Sequence, residues 1–164
     1  MKRILIALSL LSAALSAADV MRLPAFTVND QFGGKLSSLP LTRSNAVIAV
    51  YRVRESADYS QVHYAALQRA AGTNTPIIRI GDISKVPGFI HGFIITMFRN
   101  NEPDAPYYLD TDGIASASFS VPPGSCGFFI FTNGTAAYAD VFAYTAVGMS
   151  NRFSVYTNAV SRMK

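Results

Sequence analysis

Two short, almost entirely apolar segments enclose a helical pattern, and they constrain the fold more than any other feature of the sequence. Ala46 to Tyr51 reads AVIAVY and Pro76 to Gly81 reads PIIRIG, as expected of strands buried on both faces. Between them, Asp58 suits a helix N-cap, Gln61 follows at the capping-box spacing, and Gly72 ends the pattern. A strand, a helix and a second strand of this kind predict a parallel β-α-β unit.

The rest of the chain predicts an antiparallel completion of the same sheet. Pro24 to Leu39 alternates apolar and polar residues around a Phe-Gly-Gly turn, which predicts a short strand and a hairpin-like turn. Asn133-Gly134 separates two apolar runs and is a strong hairpin signal. Tyr107 to Leu109 predicts a short strand, and a last helix is expected from about Ser150. The predicted fold class is therefore α/β, with a mixed central sheet covered by helices on both faces.

A second helix is predicted within Ser84 to Arg99, with Pro87 near its start. Its apolar arc is wider than a half-exposed helix requires. We interpret this arc either as a face buried fully against the sheet or under the last helix, or as a partner surface. The candidate partner surface comprises Phe89, Ile90, Phe93, Ile94, Met97 and Phe98.

Residues 1–18 have the three parts of a secretory signal peptide: Lys2 and Arg3, an apolar run, and the small residues Ser16-Ala17-Ala18. We expect cleavage after Ala17 or Ala18, a single mature domain over residues 19–164, and a periplasmic or secreted protein. The alternative is an uncleaved membrane anchor, but the run is short for a span. No later segment has the sequence of a transmembrane helix.

The charge balance gives no support for a polyanionic partner. Removing Lys2 and Arg3 from the 14 basic residues leaves 12 against 10 acidic residues, which is a formal charge of +2. This excess is too small to indicate binding to nucleic acid or to a membrane surface.

Several landmarks occur in an order that resembles a thioredoxin-like domain of the peroxiredoxin and thiol-disulfide branch. The resemblance implies a three-layer fold and covers nearly the whole predicted mature chain. The landmarks are Pro24-Ala25-Phe26 with Asp30 and Gly33-Gly34, the strand Val47 to Tyr51, Leu109 to Gly113, Val121 to Gly124, and Asn133-Gly134.

The chain departs from this family at the two positions that carry its chemistry. The resemblance places the redox cysteine pair at Ser56 and Tyr59, and no Thr-x-x-Cys peroxidatic signature is present. Where the family usually has a cis-proline, this chain has Cys126, its only cysteine. Because a cis bond is costly for a non-proline residue, we expect a trans peptide and a reshaped loop there. The resemblance also places Cys126 beside the degenerate site.

Two functions remain open at this stage. The first is a non-catalytic thioredoxin-like module that binds a protein or small molecule, in which Cys126 is a buried apolar residue. The second is a one-cysteine redox enzyme or thiol sensor, in which Cys126 reacts and an external thiol resolves the product. The missing cysteine pair favours the first.

A charge cluster follows the first buried strand and is the candidate binding mouth. It comprises Arg52, Arg54, Glu55 and Asp58. We interpret it either as a solvated loop with one helix cap, or as an anion-binding mouth at a helix N-terminus.

The sequence predicts no metal site and no cofactor. His63 and His91 are the only histidines and fall on different predicted helices, which leaves too few strong ligands. Asp110 and Asp112 are interpreted as turn residues. The partner is expected to be an unidentified protein or small molecule, and a homodimer is compatible with the wide apolar arc.

Overall fold

A computed structural model describes residues 21–52 and 57–163, and it describes the side chains of all of these except residues 57–62. The strands are β1 (Thr27–Asp30), β2 (Lys35–Ser37), β3 (Asn45–Tyr51), β4 (Ile77–Asp82), β5 (Tyr108–Asp110), β6 (Ser125–Thr132) and β7 (Thr135–Ala143). The helices are α1 (Ala57–Ala71), α2 (Gly88–Asn101), α3 (Ile114–Ser118) and α4 (Ala146–Ser161), with a 3-10 helix at Leu39–Arg43.

The described strands form one mixed sheet in the order β2-β1-β5-β4-β3-β6-β7. Strands β3, β4 and β5 run parallel, whereas β6 runs antiparallel to β3 with Tyr51 opposite Cys126. The predicted β-α-β unit and the mixed sheet are therefore confirmed. The carboxyl ends of β3, β4 and β5 meet at one edge, where Tyr51, Asp82 and Asp110 lie.

Alternating side chains along the strands build an apolar core on each face of the sheet. Ile48 and Val50 point to the face covered by α3, where Phe119, Phe129 and Phe131 also pack. Val47, Ala49 and Tyr51 point to the other face, which α1, α2 and α4 cover. Every residue of β3 after Asn45 is buried, because both faces of a central strand are covered.

The two hairpins are confirmed. Strands β1 and β2 pair, and the Asp30 carboxylate accepts hydrogen bonds from the backbone N–H groups of Phe32 and Gly34 in the turn. Strands β6 and β7 join at Asn133 and Gly134, whose φ angles of +49° and +73° explain the Asn-Gly sequence.

Three boundaries differ from the sequence predictions. Helix α4 begins at Ala146 instead of about Ser150, because the Thr145 hydroxyl accepts a hydrogen bond from Gly148 N–H and caps it. Helix α1 begins at Ala57, so Asp58 is its second residue and not its N-cap. A carboxylate there still favours the helix, whose N-terminus carries partial positive charge. Strand β6 begins at Ser125, so the reshaped loop expected at Cys126 is wrong: Cys126 lies in regular sheet, paired with Tyr51 and Phe142.

No helix within the described part of the chain is both long enough and apolar enough to cross a bilayer. The proposed signal peptide, residues 1–18, lies outside the described residues and stays a prediction.

Candidate functional site

A buried ion pair lies where β3 and β4 end. Arg52 follows β3 directly, and its Nε donates to Asp82 Oδ2 over 2.6 Å while its Nη1 donates to the carbonyl of Val121 over 2.6 Å. Burial alone would raise the pKa of Asp82, but hydrogen bonds from Ser84 and Arg52 and the Arg52 charge hold it below its ordinary value. Arg52 is therefore fixed in place, whereas an exposed loop arginine would move freely in solvent.

A cavity of about 550 Å³ opens next to this ion pair, between α2 and the carboxyl ends of the strands. Parallel strands commonly bind ligands at this edge of an α/β sheet. Arg52, Asp82 and Lys85 contribute charged groups to its wall, and Tyr51 and Tyr107 contribute phenols. The apolar part of the wall comprises Ile83, Val86, Ile90, Phe93, Ile94, Met97, Phe98, Leu109 and Pro123.

Helix α2 forms the outer wall of this cavity, and its six apolar candidates have three different environments. Phe98 is the only buried side chain of the helix. Ile90 and Ile94 are half-buried and face the cavity. Phe89 and Phe93 are 87% and 71% exposed, and Met97 is 37% exposed. The interpretation of full burial is therefore wrong for Phe89, Phe93 and Met97, which form the exposed row of α2. The first half of this helix is not packed closely against the sheet. The role of these residues as a partner surface stays a prediction.

The C-terminal end of α2 is held to the sheet by a polar network. Buried Gln31 donates from Nε2 to the carbonyls of Glu102 and Ala105, and its Oε1 accepts from Tyr107 N–H. The Arg99 guanidinium donates to the Gln31 carbonyl. Since this anchor lies at one end only, the helix can cover a cavity along its first two turns.

Two stacked phenols form the inner end of the cavity. Tyr107 lies between Phe98 and Tyr51, with ring centroids 4.3 and 6.4 Å away respectively. Burial raises the pKa of both tyrosines, so each stays neutral and able to donate a hydrogen bond throughout the accessible pH range. Gly81 lies against this stack, since a Cβ there would be 2.7 Å from the Tyr107 ring.

Cys126 lies on the same face of the sheet but outside this cavity. It is 1% exposed, opposite Tyr51 in β3 and Phe142 in β7. It borders a void of only about 10 Å³, together with His63, whose pKa is lowered by burial. No cis peptide bond occurs in the described segments, so the trans linkage expected at Cys126 is found. The thiol is therefore enclosed in the core.

Comparison with known proteins decides the fold. No family model matches the sequence, and no curated protein matches it. A Chlorobium tepidum protein described as the thiol:disulfide interchange protein DsbE superposes with a TM-score of 0.60 at 12% identity, over 87% of this chain and 96% of that one. The protein has a thioredoxin-like fold.

Two further solved structures share this thioredoxin-like fold. The peroxidoxin BcpB of Mycobacterium tuberculosis has a TM-score of 0.55 and 13% identity, over 85% of this chain and 96% of its own. The exposed lipoprotein thioredoxin Etrx1 of Streptococcus pneumoniae has a TM-score of 0.56 and 9% identity, over 80% of this chain and 98% of its own. At such identities the similarity shows a shared fold and not a shared activity. This chain has a single cysteine and so lacks a redox pair.

The degenerate pair of this thioredoxin-like domain falls mostly outside the described residues. Ser56, Arg54 and Glu55 belong to that undescribed segment, and Asp58 and Tyr59 lie in α1 with side chains that are not described. Of the candidate mouth, only Arg52 can be placed. It faces the cavity and is bound to Asp82. The anion-binding mouth stays a prediction.

The acidic turn has the structural role that the sequence indicated. Asp110 accepts hydrogen bonds from the backbone N–H groups of Ala115 and Ser116, and Asp112 accepts one from Ile114. Both carboxylates therefore organise the start of α3. Among the described residues, no three His, Cys, Asp or Glu side chains are grouped as a metal site would require.

Six of the fifteen described residues that line the cavity are candidates from the sequence, namely Arg52 and five apolar residues of α2. The sequence did not indicate Lys85, Tyr107 or the ion pair between Arg52 and Asp82. One feature of the sequence could have indicated this site. Asp82 and Lys85 follow the second buried run directly, at the edge where α/β sheets bind ligands.

Proposed function

We propose that the protein is an exported, non-catalytic thioredoxin-like module that binds a ligand in the cavity beneath α2, without dithiol redox chemistry. The observation that carries this proposal is the cavity of about 550 Å³ at the carboxyl edge of the sheet. Its volume falls in the range of small-molecule sites, which are mostly apolar with a few convergent polar groups.

The state of the thiol supports a binding role over a redox role. Thiol exchange needs an accessible thiolate and usually a second cysteine. Cys126 is the only cysteine and is 1% exposed. A one-cysteine redox enzyme remains the alternative, and it would require the thiol to become accessible.

Export is supported by the signal-like sequence of residues 1–18. It is also supported by the similarity in fold to an exposed lipoprotein thioredoxin.

The ligand cavity can be tested with a neutral, apolar fluorescent probe, N-phenyl-1-naphthylamine. We expect saturable binding to the folded protein, and its loss in Ile94→Trp, because the indole would fill the space that Ile94 borders. Val155→Trp is the matched control, since Val155 is exposed on α4 and does not border the cavity. Binding that survives Ile94→Trp unchanged, with both variants folded, would reject the cavity as the site.

The redox alternative has its own test. We expect Cys126 to resist an alkylating reagent at neutral pH until the protein is denatured, and we expect no insulin reduction or peroxide consumption. The control is Cys126→Ser assayed in parallel. Turnover in the unmodified protein that disappears in this variant would establish the one-cysteine enzyme instead.

A further inference from the structure

We infer that the cavity beneath α2 accepts an amphipathic anion, with an apolar body along α2 and a carboxylate or similar anionic group at the end where Arg52 and Lys85 lie. This inference rests on the proposed binding function and adds the chemical class of the ligand. It follows from how charge and hydrogen-bond donors are distributed over the cavity wall.

The apolar body of the ligand is indicated by the long side of the cavity. Ile90, Ile94 and Met97 follow one another along α2, and Ile83 and Leu109 face them from the sheet side. These five side chains are all apolar, and those on α2 extend over about two helical turns. A ligand that fills this side gains free energy by burying apolar surface.

The charges on the wall are unequal. Arg52 and Asp82 form a buried ion pair and neutralise each other. Lys85 also borders the cavity, is exposed, and has no carboxylate within ion-pair distance among the described side chains, those of residues 21–52 and 63–163. Counted over these side chains, the pair and the lysine together leave one uncompensated positive charge. An anion would satisfy it, whereas a cation would be repelled.

The hydrogen-bonding groups at this end are mainly donors. Asp82, the only carboxylate among the described residues of the wall, already accepts from Arg52 and from Ser84 N–H. The guanidinium of Arg52 has five N–H groups, and its bonds to Asp82 and Val121 use two of them. The neutral phenols of Tyr51 and Tyr107 belong to the same wall, at its inner end, and each can donate or accept a hydrogen bond. Donors held in place next to a positive charge bind a carboxylate more strongly than an uncharged hydroxyl.

Two ten-carbon ligands, one with an anionic and one with a neutral head group, provide the test. Decanoate and 1-decanol compete with N-phenyl-1-naphthylamine for the intact protein at pH 8 and low salt. We expect half-displacement at a decanoate concentration at least about tenfold lower than that of decanol, since hydrogen bonds to a charged group are stronger than those to a neutral one. Salt should reduce this difference, because Lys85 is exposed to solvent.

The variant Lys85→Met tests whether the anionic group of the ligand binds next to Lys85. It keeps an unbranched side chain only one atom shorter and removes the charge, so the preference for decanoate should fall severalfold while decanol binding is retained. Lys35→Met is the control, because Lys35 is exposed in β2 and is not part of the cavity wall.

The outcomes separate the two proposals. If the neutral probe does not bind, the proposed binding function fails and this inference fails with it. If the probe binds but decanoate and decanol displace it equally well, the binding function stands and the anionic ligand class is rejected. A preference for decanoate that Lys85→Met leaves unchanged would also reject the assignment.

Discussion

Arg79 and Glu102 form an ion pair that is almost entirely buried, with side chains 1% and 6% exposed, and it joins β4 to the end of α2. The guanidinium lies 4.1 Å from the ring centre of Tyr64 and 5.2 Å from that of Tyr107. The pair therefore holds the anchored end of α2 next to the phenols of the cavity.

Removing one partner of this pair should be costly. Glu102→Ala leaves the Arg79 guanidinium buried without its counter-ion, and we expect the free energy of unfolding to fall by about 3–5 kcal/mol. Urea denaturation measures this loss. The double variant Arg79→Met/Glu102→Leu should recover most of it, because an apolar pair requires no charge in the core. A double variant as unstable as the single one would contradict the explanation.

Gly81 is expected to tolerate no side chain. In Gly81→Ala the new Cβ would lie 2.7 Å from the Tyr107 ring, and that ring is held between Phe98 and Tyr51. We expect a loss of about 1–3 kcal/mol in the free energy of unfolding, as for other overpacked core positions.

A second glycine provides the matched control for this prediction. Gly92 lies within α2, and a Cβ placed there would meet no atom within 4 Å apart from its chain neighbours and the backbone of its own helix. Gly92→Ala should therefore stabilise the protein by about 0.5–1 kcal/mol through helix propensity. Thermal melting of both variants compares them, and a stable Gly81→Ala would show that Tyr107 can move aside.

The sheet could be predicted from the sequence because its signals are local. The runs at Ala46–Tyr51 and Pro76–Gly81 are apolar except for Arg79, and Asn133-Gly134 indicates its turn because both residues adopt positive φ angles. The order of these elements leaves few ways to build a sheet.

The cavity could not be predicted in the same way. Helical periodicity shows that Phe89, Ile90 and Ile94 are apolar, but not how far a helix stands from the sheet it covers. That distance depends on the anchor at Gln31 and Glu102, which are more than 70 residues apart in sequence. Arg79 was the one local sign of this network, because a charged residue inside a buried strand requires a partner.

His63 is expected to make stability depend on pH. Burial lowers its pKa in the folded protein, so the unfolded chain takes up this proton at a higher pH, near the ordinary histidine value of about 6.5. Protonation then favours the unfolded state, and the free energy of unfolding should fall as the pH decreases below about 6.5. Denaturation between pH 7.5 and 5.5 measures this slope.

His63→Gln should reduce the slope, and His91→Gln on α2 should retain it. The ring of His63 stacks on Phe153 at 4.0 Å, so some stability is lost in the first variant at every pH, and the slope is therefore the quantity to compare. An equal slope in His63→Gln and the unmodified protein would remove His63 as its source.

Two phenylalanines on α2 should respond in opposite ways to substitution. Phe98 is buried against Tyr107, so Phe98→Ala should lower the free energy of unfolding by about 3–5 kcal/mol. Phe89 is 87% exposed, so Phe89→Asp should change it by less than about 0.5 kcal/mol.

Chemical denaturation and sedimentation together show whether the exposed row of α2 is an interface between copies of this chain. If Phe89→Asp leaves stability unchanged but abolishes self-association of the unmodified protein, the row is an interface between copies of this chain. If the unmodified protein is monomeric at all concentrations, the homodimer is excluded. A large loss of stability in Phe89→Asp would show instead that the first half of α2 packs against the rest of the protein, and it would remove the basis for a cavity beneath this helix.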